Sequence, residues 1–237
     1  PTFEAVSDLN VTATATVDVN EGAARTFIRE DGTELTAVYS GNGTAGNPYE
    51  IDSLADLQAI DNSTAAHDDH YELNTSIDAS ATGESSWNGG SGFEAVASAT
   101  DEAFTGTLDG NGHTISNLSI NRSGTNRGGL VGELGSSGSI QNLTIENASI
   151  TGNDDLGVVA GTRAGTIRNV TVTGTVSGND RIGGVVGNVD TGGSVTSSTA
   201  AVDTSGNKAI GGLVGESSGT VNNASATGDV TATGQYA

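Results

Sequence analysis

The sequence has no cysteine and no methionine, two prolines, one tryptophan and a single lysine, Lys208. Without cysteine there is no disulfide framework and no cysteine-ligated metal centre. Aromatics make up 4% and all hydrophobics 34% of the 237 residues. That excludes one large core of bulky side chains and favours many small repeated ones. No apolar run approaches the roughly 18 residues that a membrane-spanning helix needs, so no membrane insertion is expected. No signal peptide is visible, and Pro1 is not an initiator residue, so a mature or partial chain is expected. Eight basic residues face 29 acidic ones, a formal charge of −21. That sign excludes nucleic acid and anionic lipid as partners, because both need basic patches.

The acidity is far more than solubility requires. Self-repulsion of this size opposes a compact state at low salt, and it fades at molar salt, where the Debye length falls to about 3 Å. The composition therefore fits a surface adapted to high salt. An acidic extracellular protein from an ordinary environment is the alternative.

The 36 glycines are not scattered. Gly128-Gly129-Leu130-Val131-Gly132 recurs as Gly183-Gly184-Val185-Val186-Gly187 and Gly211-Gly212-Leu213-Val214-Gly215, with a degenerate copy at Gly157-Val158-Val159-Ala160-Gly161. A second block keeps step with it. Ile115-Ser116-Asn117-Leu118-Ser119-Ile120 is echoed by Ile140–Ile145 and Ile167–Val172, and more weakly by Val195–Ala200 and Val221–Ala226. A third apolar beat follows at Ile150, Val176, Val202 and Val230, and then a turn around Asn126, Asn153, Asn179 and Asn207.

Three short β-rich segments per repeat of about 27 residues describe a three-sided coil. One such segment cannot hide its two or three inward aliphatics alone. Stacking coils about 4.8 Å apart pairs every backbone group above and below and builds a narrow layered interior. Glycine supplies positive φ and close backbone approach at corners. Asparagine also tolerates the left-handed region, and stacked asparagines can hydrogen-bond along the axis. A β-sandwich is the alternative architecture.

These blocks resemble the GLUG motif, found in tandem in large secreted and surface proteins of bacteria and archaea. The resemblance covers about 128–237. Phe104–Ile115 is similar to the segment that opens such arrays, and Asn47-Pro48-Tyr49-Glu50-Ile51 with Leu54 and Leu57 to their entry. It implies a right-handed parallel β-solenoid outside the cell, at the cell surface, and no particular enzyme activity; together with the acidic composition, a haloarchaeal member is expected. The copy without a leading glycine pair implies a less regular coil.

Upstream, Val11, Ala13, Ala15, Val17 and Val19 alternate with polar residues, the pattern of a half-buried strand that could contact another subunit. Residues 25–30 and 33–39 flank Asp31-Gly32, a hairpin signal. Ser53-Leu54-Ala55-Asp56 reads as a helix start with a capping-box variant, and Leu54, Leu57 and Ile60 recur at helical spacing. The fold expected is all-β: an antiparallel β unit at 1–46, a capping helix and first irregular coil at 47–103, and solenoid repeats at 104–237. The helix would cover the open end of the stack. The last repeat carries no visible cap, so a continuing chain or another subunit is expected to cover it.

Chemistry is sparse. His67-Asp68-Asp69-His70 has metal-ligand residue types, yet adjacent residues rarely converge on one ion, and a solvated loop is expected. Asp109-Gly110-Asn111-Gly112-His113 has the alternating oxygens of a Ca²⁺ loop without its Gly and terminal Glu, so it reads as a tight turn. No metal or other cofactor is expected. A polysaccharide lyase or glycosidase on this fold needs paired carboxylates in a cleft, whereas Asp154, Asp155, Asp180, Asp190, Asp203 and Asp229 fall at corners of different coils. The chain is therefore expected not to be an enzyme. Among ten Asn-x-Ser/Thr sequons, Asn10, Asn42, Asn62, Asn74 and Asn121 are the candidate N-glycosylation sites outside the ladder. Arg127, Asp154-Asp155, Asp180-Arg181 and Lys208 would alternate in sign between coils. The functional expectation is a surface filament or pilus-like subunit assembling head to tail, a homopolymer or a partner of other surface proteins. The alternative is an adhesin or carbohydrate-binding module recognising surface glycans.

Overall fold

The computed structural model describes residues 24–28, 32, 34–62, 67–99 and 102–234. The alternating segment Val11–Val19, the sequon at Asn10 and Tyr236 lie outside the described residues.

β1 (Ala24–Ile28) and β2 (Glu34–Val38) pair antiparallel, Ala24 opposite Val38 and Ile28 opposite Glu34. β3 (Tyr49–Ile51) leads into α1 (Leu54–Ala59). The helix starts where the sequence signals it. The Ser53 hydroxyl accepts a hydrogen bond from the Asp56 N–H (3.2 Å), and the Asp56 carboxylate accepts from the Asp52 N–H and the Ser53 hydroxyl. Leu57, Ala59 and Ile60 are buried.

All later strands run parallel. The first layers are β4 (His70–Leu73), β5 (Ile77–Asp78), β6 (Thr107–Asp109), β7 (Thr114–Ser116) and β8 (Ser119–Asn121). Then come β9 (Val131–Leu134), β10 (Ser139–Thr151), β11 (Ala160–Arg163) and β12 (Thr166–Ser177). The last coils hold β13 (Asp180–Gly183), β14 (Val186–Val189), β15 (Ser194–Thr196), β16 (Thr199–Gly206), β17 (Lys208–Gly211), β18 (Val214–Ser217), β19 (Thr220–Asn222), β20 (Ser225–Thr227) and β21 (Val230–Ala232).

The chain is a parallel β-solenoid of about four regular turns of about 28 residues. One face stacks β3, β4, β6, β10, β12, β15 and β19 in that order, and a second stacks β9, β11, β14 and β18. A short extra segment, β13 over β17, lies between the asparagine corner and the glycine block. The glycine block is thus largely a corner. Its final glycines face backbone of the neighbouring corner: a Cβ on Gly161 would lie 2.5 Å from the Arg127 Cα, and one on Gly187 would collide with the Leu156 N. Neither has positive φ; close approach is what excludes a side chain there. The copy at 157–161 is no less regular than the rest, since Ala160 pairs with Val131 on one side and Val186 on the other.

Inward rows are aliphatic, as burial demands. Ile140, Ile167 and Val195 form one row, and Ile145, Val172 and Ala200 another, all buried. In the first layers Tyr49 and Tyr71 continue the row of Leu108, and Tyr39 and Phe104 pack against them, with ring centroids 5.2–6.2 Å apart.

Two register expectations fail. Asn117 does not align with Asn142; Ile115 pairs with Ile145 and Ile120 with Ile150. The row that holds Ile140 is filled instead by Leu108, so the opening coil reaches the corner through the Gly110-Asn111-Gly112 turn. The third beat also slips. Val176 faces Thr204, which faces Val230, whereas Val202 faces Gly174. Gly174 sits at φ 138°, and a Cβ there would collide with the Ala148 carbonyl, so the position opposite Val202 carries no side chain.

Candidate functional site

Two columns of left-handed corners run along the solenoid. Asn142, Asn169, Ser197 and Asn223 have φ of 48–52°, as third residues of the second repeat block. Asn169 Nδ2 donates to Asn142 Oδ1 (2.9 Å), Asn142 Nδ2 to Asp109 Oδ1 (3.0 Å), and Asn223 Nδ2 to Ser197 Oγ (3.2 Å). The expected ladder is therefore present, and its members carry the left-handed backbone themselves. The second column is charged. Arg127, Asp155, Arg181 and Ala209 have φ of 51–63°.

Charge alternates there as the sequence suggested. The Arg181 guanidinium donates to both oxygens of Asp155, at 2.5 and 2.9 Å. That bidentate contact raises the Arg181 pKa further above its ordinary value, against the opposing effect of burial. Arg127 Nη1 lies 2.6 Å from Glu133 Oε2, and Lys208 Nζ lies 3.7 Å from Asp180 Oδ2. The Arg127–Glu133 pair lies within one coil, whereas Arg181–Asp155 and Lys208–Asp180 join neighbouring coils and so affect which coil lies against which; the exposed Lys208 pair contributes only about 0–1 kcal/mol.

The corner carboxylates are occupied with structure. Asp154 Oδ1 accepts from Asn179 Nδ2 and the Asp180 N–H, Asp190 from Asn188 Nδ2, and Asp203 from the Asp229 N–H. The Asp109 turn behaves likewise. Burial pushes its carboxyl up, but hydrogen bonds from Gln141, the Asn111 N–H and Asn142, with the Arg168 charge, outweigh that and hold it below the ordinary value.

An aromatic platform for sugar stacking is absent among the described residues, because Tyr39, Tyr49, Tyr71 and Trp87 are buried. Of the sequons, Asn42, Asn74 and Asn121 are exposed. Asn74 Nδ2 donates to Asp52 Oδ1 (2.8 Å), and Asn62 closes the short 3₁₀ turn after α1.

The His67–His70 run divides. Asp68 is exposed, and His70 joins β4 with its N–H donating to the Gly43 carbonyl. His67 turns inward and meets Asp61 and Glu102. Sequence reasoning missed that trio because its members are separated by 6 and 35 residues. It also missed Arg163, which enters the buried row between Leu134 and Val189.

The outer face of the last coils differs from the rest. β18, β19, β20 and β21 pair on one side only among the described residues. Val221 and Val230 are 43% and 49% exposed, although each continues a row that is buried elsewhere.

Comparison with known proteins agrees with this geometry. Residues 206–231 match the family described as the GLUG motif. All 237 residues are 75% identical to a segment of halomucin from Haloquadratum walsbyi, a haloarchaeon, and span 3% of its length. A Gly-rich membrane protein candidate of Evansella cellulosilytica is 33% identical over 135 residues, 56% of this chain and 15% of that one. The chain thus spans a small part of these relatives. Among solved structures, that of an immunoglobulin A1 protease candidate from Bacteroides ovatus superposes with a TM-score of 0.52. It is 16% identical and covers 84% of this chain and 86% of its own, a likeness of fold alone. No helix of the described residues is long and apolar enough to cross a membrane.

Proposed function

We propose that this GLUG-bearing solenoid is a structural segment of an extracellular surface protein in a salt-loving organism. Its coils supply reach and an acidic, hydrated exterior rather than catalysis. One observation carries the finer reading. Among the described residues β18–β21 pair on one side only, and Val221 and Val230 continue the interior rows, so the stack accepts another parallel coil there, whether the next one of a longer chain or one from another subunit. Such an edge is a template for a further parallel coil or strand. Added head to tail, that contact is heterologous and builds an open fibre, pilus-like in form. Residues 11–19 carry the alternation that an adding strand needs.

Electron microscopy of the purified chain in molar salt tests this, alongside Val221→Lys/Val230→Lys and a chain lacking residues 1–20. Linear assemblies that shorten or vanish with the lysine pair support edge pairing. Polymers unaltered by the deletion remove residues 11–19 from the contact. Monodisperse particles at every concentration refute self-assembly. The similarity to halomucin supports the surface setting, and the bound carboxylates and buried aromatics favour a scaffold over a lyase or a glycan-stacking module.

A further inference from the structure

His67 is 3% exposed, and its Nε2 lies 3.2 Å from Asp61 Oδ1. Glu102 completes a group in which one ligand atom from each residue lies within 4.8 Å of the others. The three residues come from different segments: the 3₁₀ turn after α1, the loop before β4 and the loop before β6. All are buried or half-buried, and His67 is almost fully enclosed. The ligands are also held in place. Asp61 Oδ1 accepts the Ala97 N–H at 2.9 Å, and the His67 carbonyl accepts the N–H groups of Thr105 (2.7 Å) and Gly106 (2.8 Å). The Ala97 contact orients the Asp61 carboxylate, as outer partners do in metal sites, while the two backbone contacts fix the loop that carries His67.

From this geometry we propose that Asp61, His67 and Glu102 form a binding site for a divalent transition-metal ion, zinc being the best fit. An imidazole nitrogen with two carboxylate oxygens is a mixed N/O set that suits zinc, whereas Ca²⁺ and Mg²⁺ take all-oxygen shells. An N···O separation of 3.2 Å fits two ligands of one ion with bonds of about 2.0–2.2 Å. Bound there, the ion ties the capping helix to two loops of the first coils, a staple in a chain that has no disulfide.

The test uses the full chain, stripped with a chelator and titrated with zinc sulfate by calorimetry in molar sodium sulfate. The salt supports the fold and avoids competition from chloride. One zinc ion per chain is expected, with a rise in melting temperature, and cobalt substitution should give visible absorption bands that zinc quenches. His67→Gln and Glu102→Gln should each weaken zinc beyond the roughly 10–100-fold that loss of an outer contact costs. Glu102→Gln, conservative and half-buried, keeps the chain folded by circular dichroism. Absence of stoichiometric zinc, affinity unchanged in both variants, or displacement by equimolar Ca²⁺ would each overturn the assignment.

Discussion

Replacing Arg163 by leucine should stabilise the protein. The side chain is fully buried, and none of Nε, Nη1 and Nη2 finds an acceptor among the described residues. Its row neighbours are Leu134 and Val189. Burial alone lowers its pKa from the ordinary value to about 10, which corresponds to about 3 kcal/mol against the charged form. Because both folded and unfolded states hold the proton at neutral pH, the whole penalty is felt there. Leucine removes it and continues the aliphatic row, so Arg163→Leu should gain about 3 kcal/mol, within the range for replacing buried charge by packed hydrophobe. For a chain of this size that is about 6–12 °C in melting temperature. Thermal unfolding by circular dichroism in molar salt reads it, with the exposed Arg168→Leu as control, expected within about 0.5 kcal/mol of wild type. The sign with pH is a second check. The folded pKa lies below the unfolded one, so wild type gains stability as pH rises above about 10. The leucine variant lacks that gain. An Arg163→Leu protein that melts at or below the wild-type temperature refutes the reasoning.

Three further outcomes are expected. Asn169→Ala loses the hydrogen bond to Asn142 and places alanine at φ 52°, costing about 2 kcal/mol; Asn169→Gly should recover part of this, measured by chemical denaturation. Asp109 titrates below its ordinary value in the folded state, so its contribution is complete above the unfolded pKa and is lost as pH falls through the folded one. Asp109→Asn should therefore flatten the acid limb of a stability-against-pH curve. Ser53→Ala should cost about 1 kcal/mol through loss of the cap on α1, and hydrogen exchange should show the loss locally at Leu54–Ala59.

The solenoid was legible because its signals are local and repeated. The Ile-x-Asn pattern names a left-handed corner and an inward row at once, and Asn142 and Asn169 do both. Register was less legible. Asn117 carries the same local pattern yet stacks on Asn147, its amide oxygen accepting from Asn147 Nδ2 at 2.8 Å, because Leu108 had already filled the row. The spacing from Val202 misled similarly, since the space opposite it depends on Gly174 in another coil. The trio at Asp61, His67 and Glu102 left no pattern at all. Its members meet only because three loops of unequal length return to one end of the stack, and loop paths are not periodic.

The same layering decides how the protein handles its charge. A residue on the exterior has its nearest neighbours about 4.8 Å above and below, so like charges in consecutive coils repel by roughly 1 kcal/mol even in water. The middle coils largely avoid this; where Asp180 stacks on Asp154, both are half-buried and Lys208 faces Asp180 from the next coil. Arg127, Asp155 and Arg181 alternate, and Glu133 and Glu216 are separated by Thr162 and Asn188. Asp203 and Asp229 do not alternate: the Asp229 N–H donates to the Asp203 carboxylate, stacking two acids in the outermost coils, where exposure is also greatest. Their repulsion extends over about 10 Å at 0.1 M salt and about 3 Å at 1 M. Loss of salt should therefore open the stack from β20 and β21 inwards rather than all at once. Hydrogen exchange during dilution from molar salt reads that order directly. Asp229→Asn should lower the salt at which the last coil becomes protected, while Glu133→Gln, already paired with Arg127, should not. Simultaneous exposure of β10 and β21 on dilution would mean that bulk charge, not its arrangement by layer, sets the salt requirement.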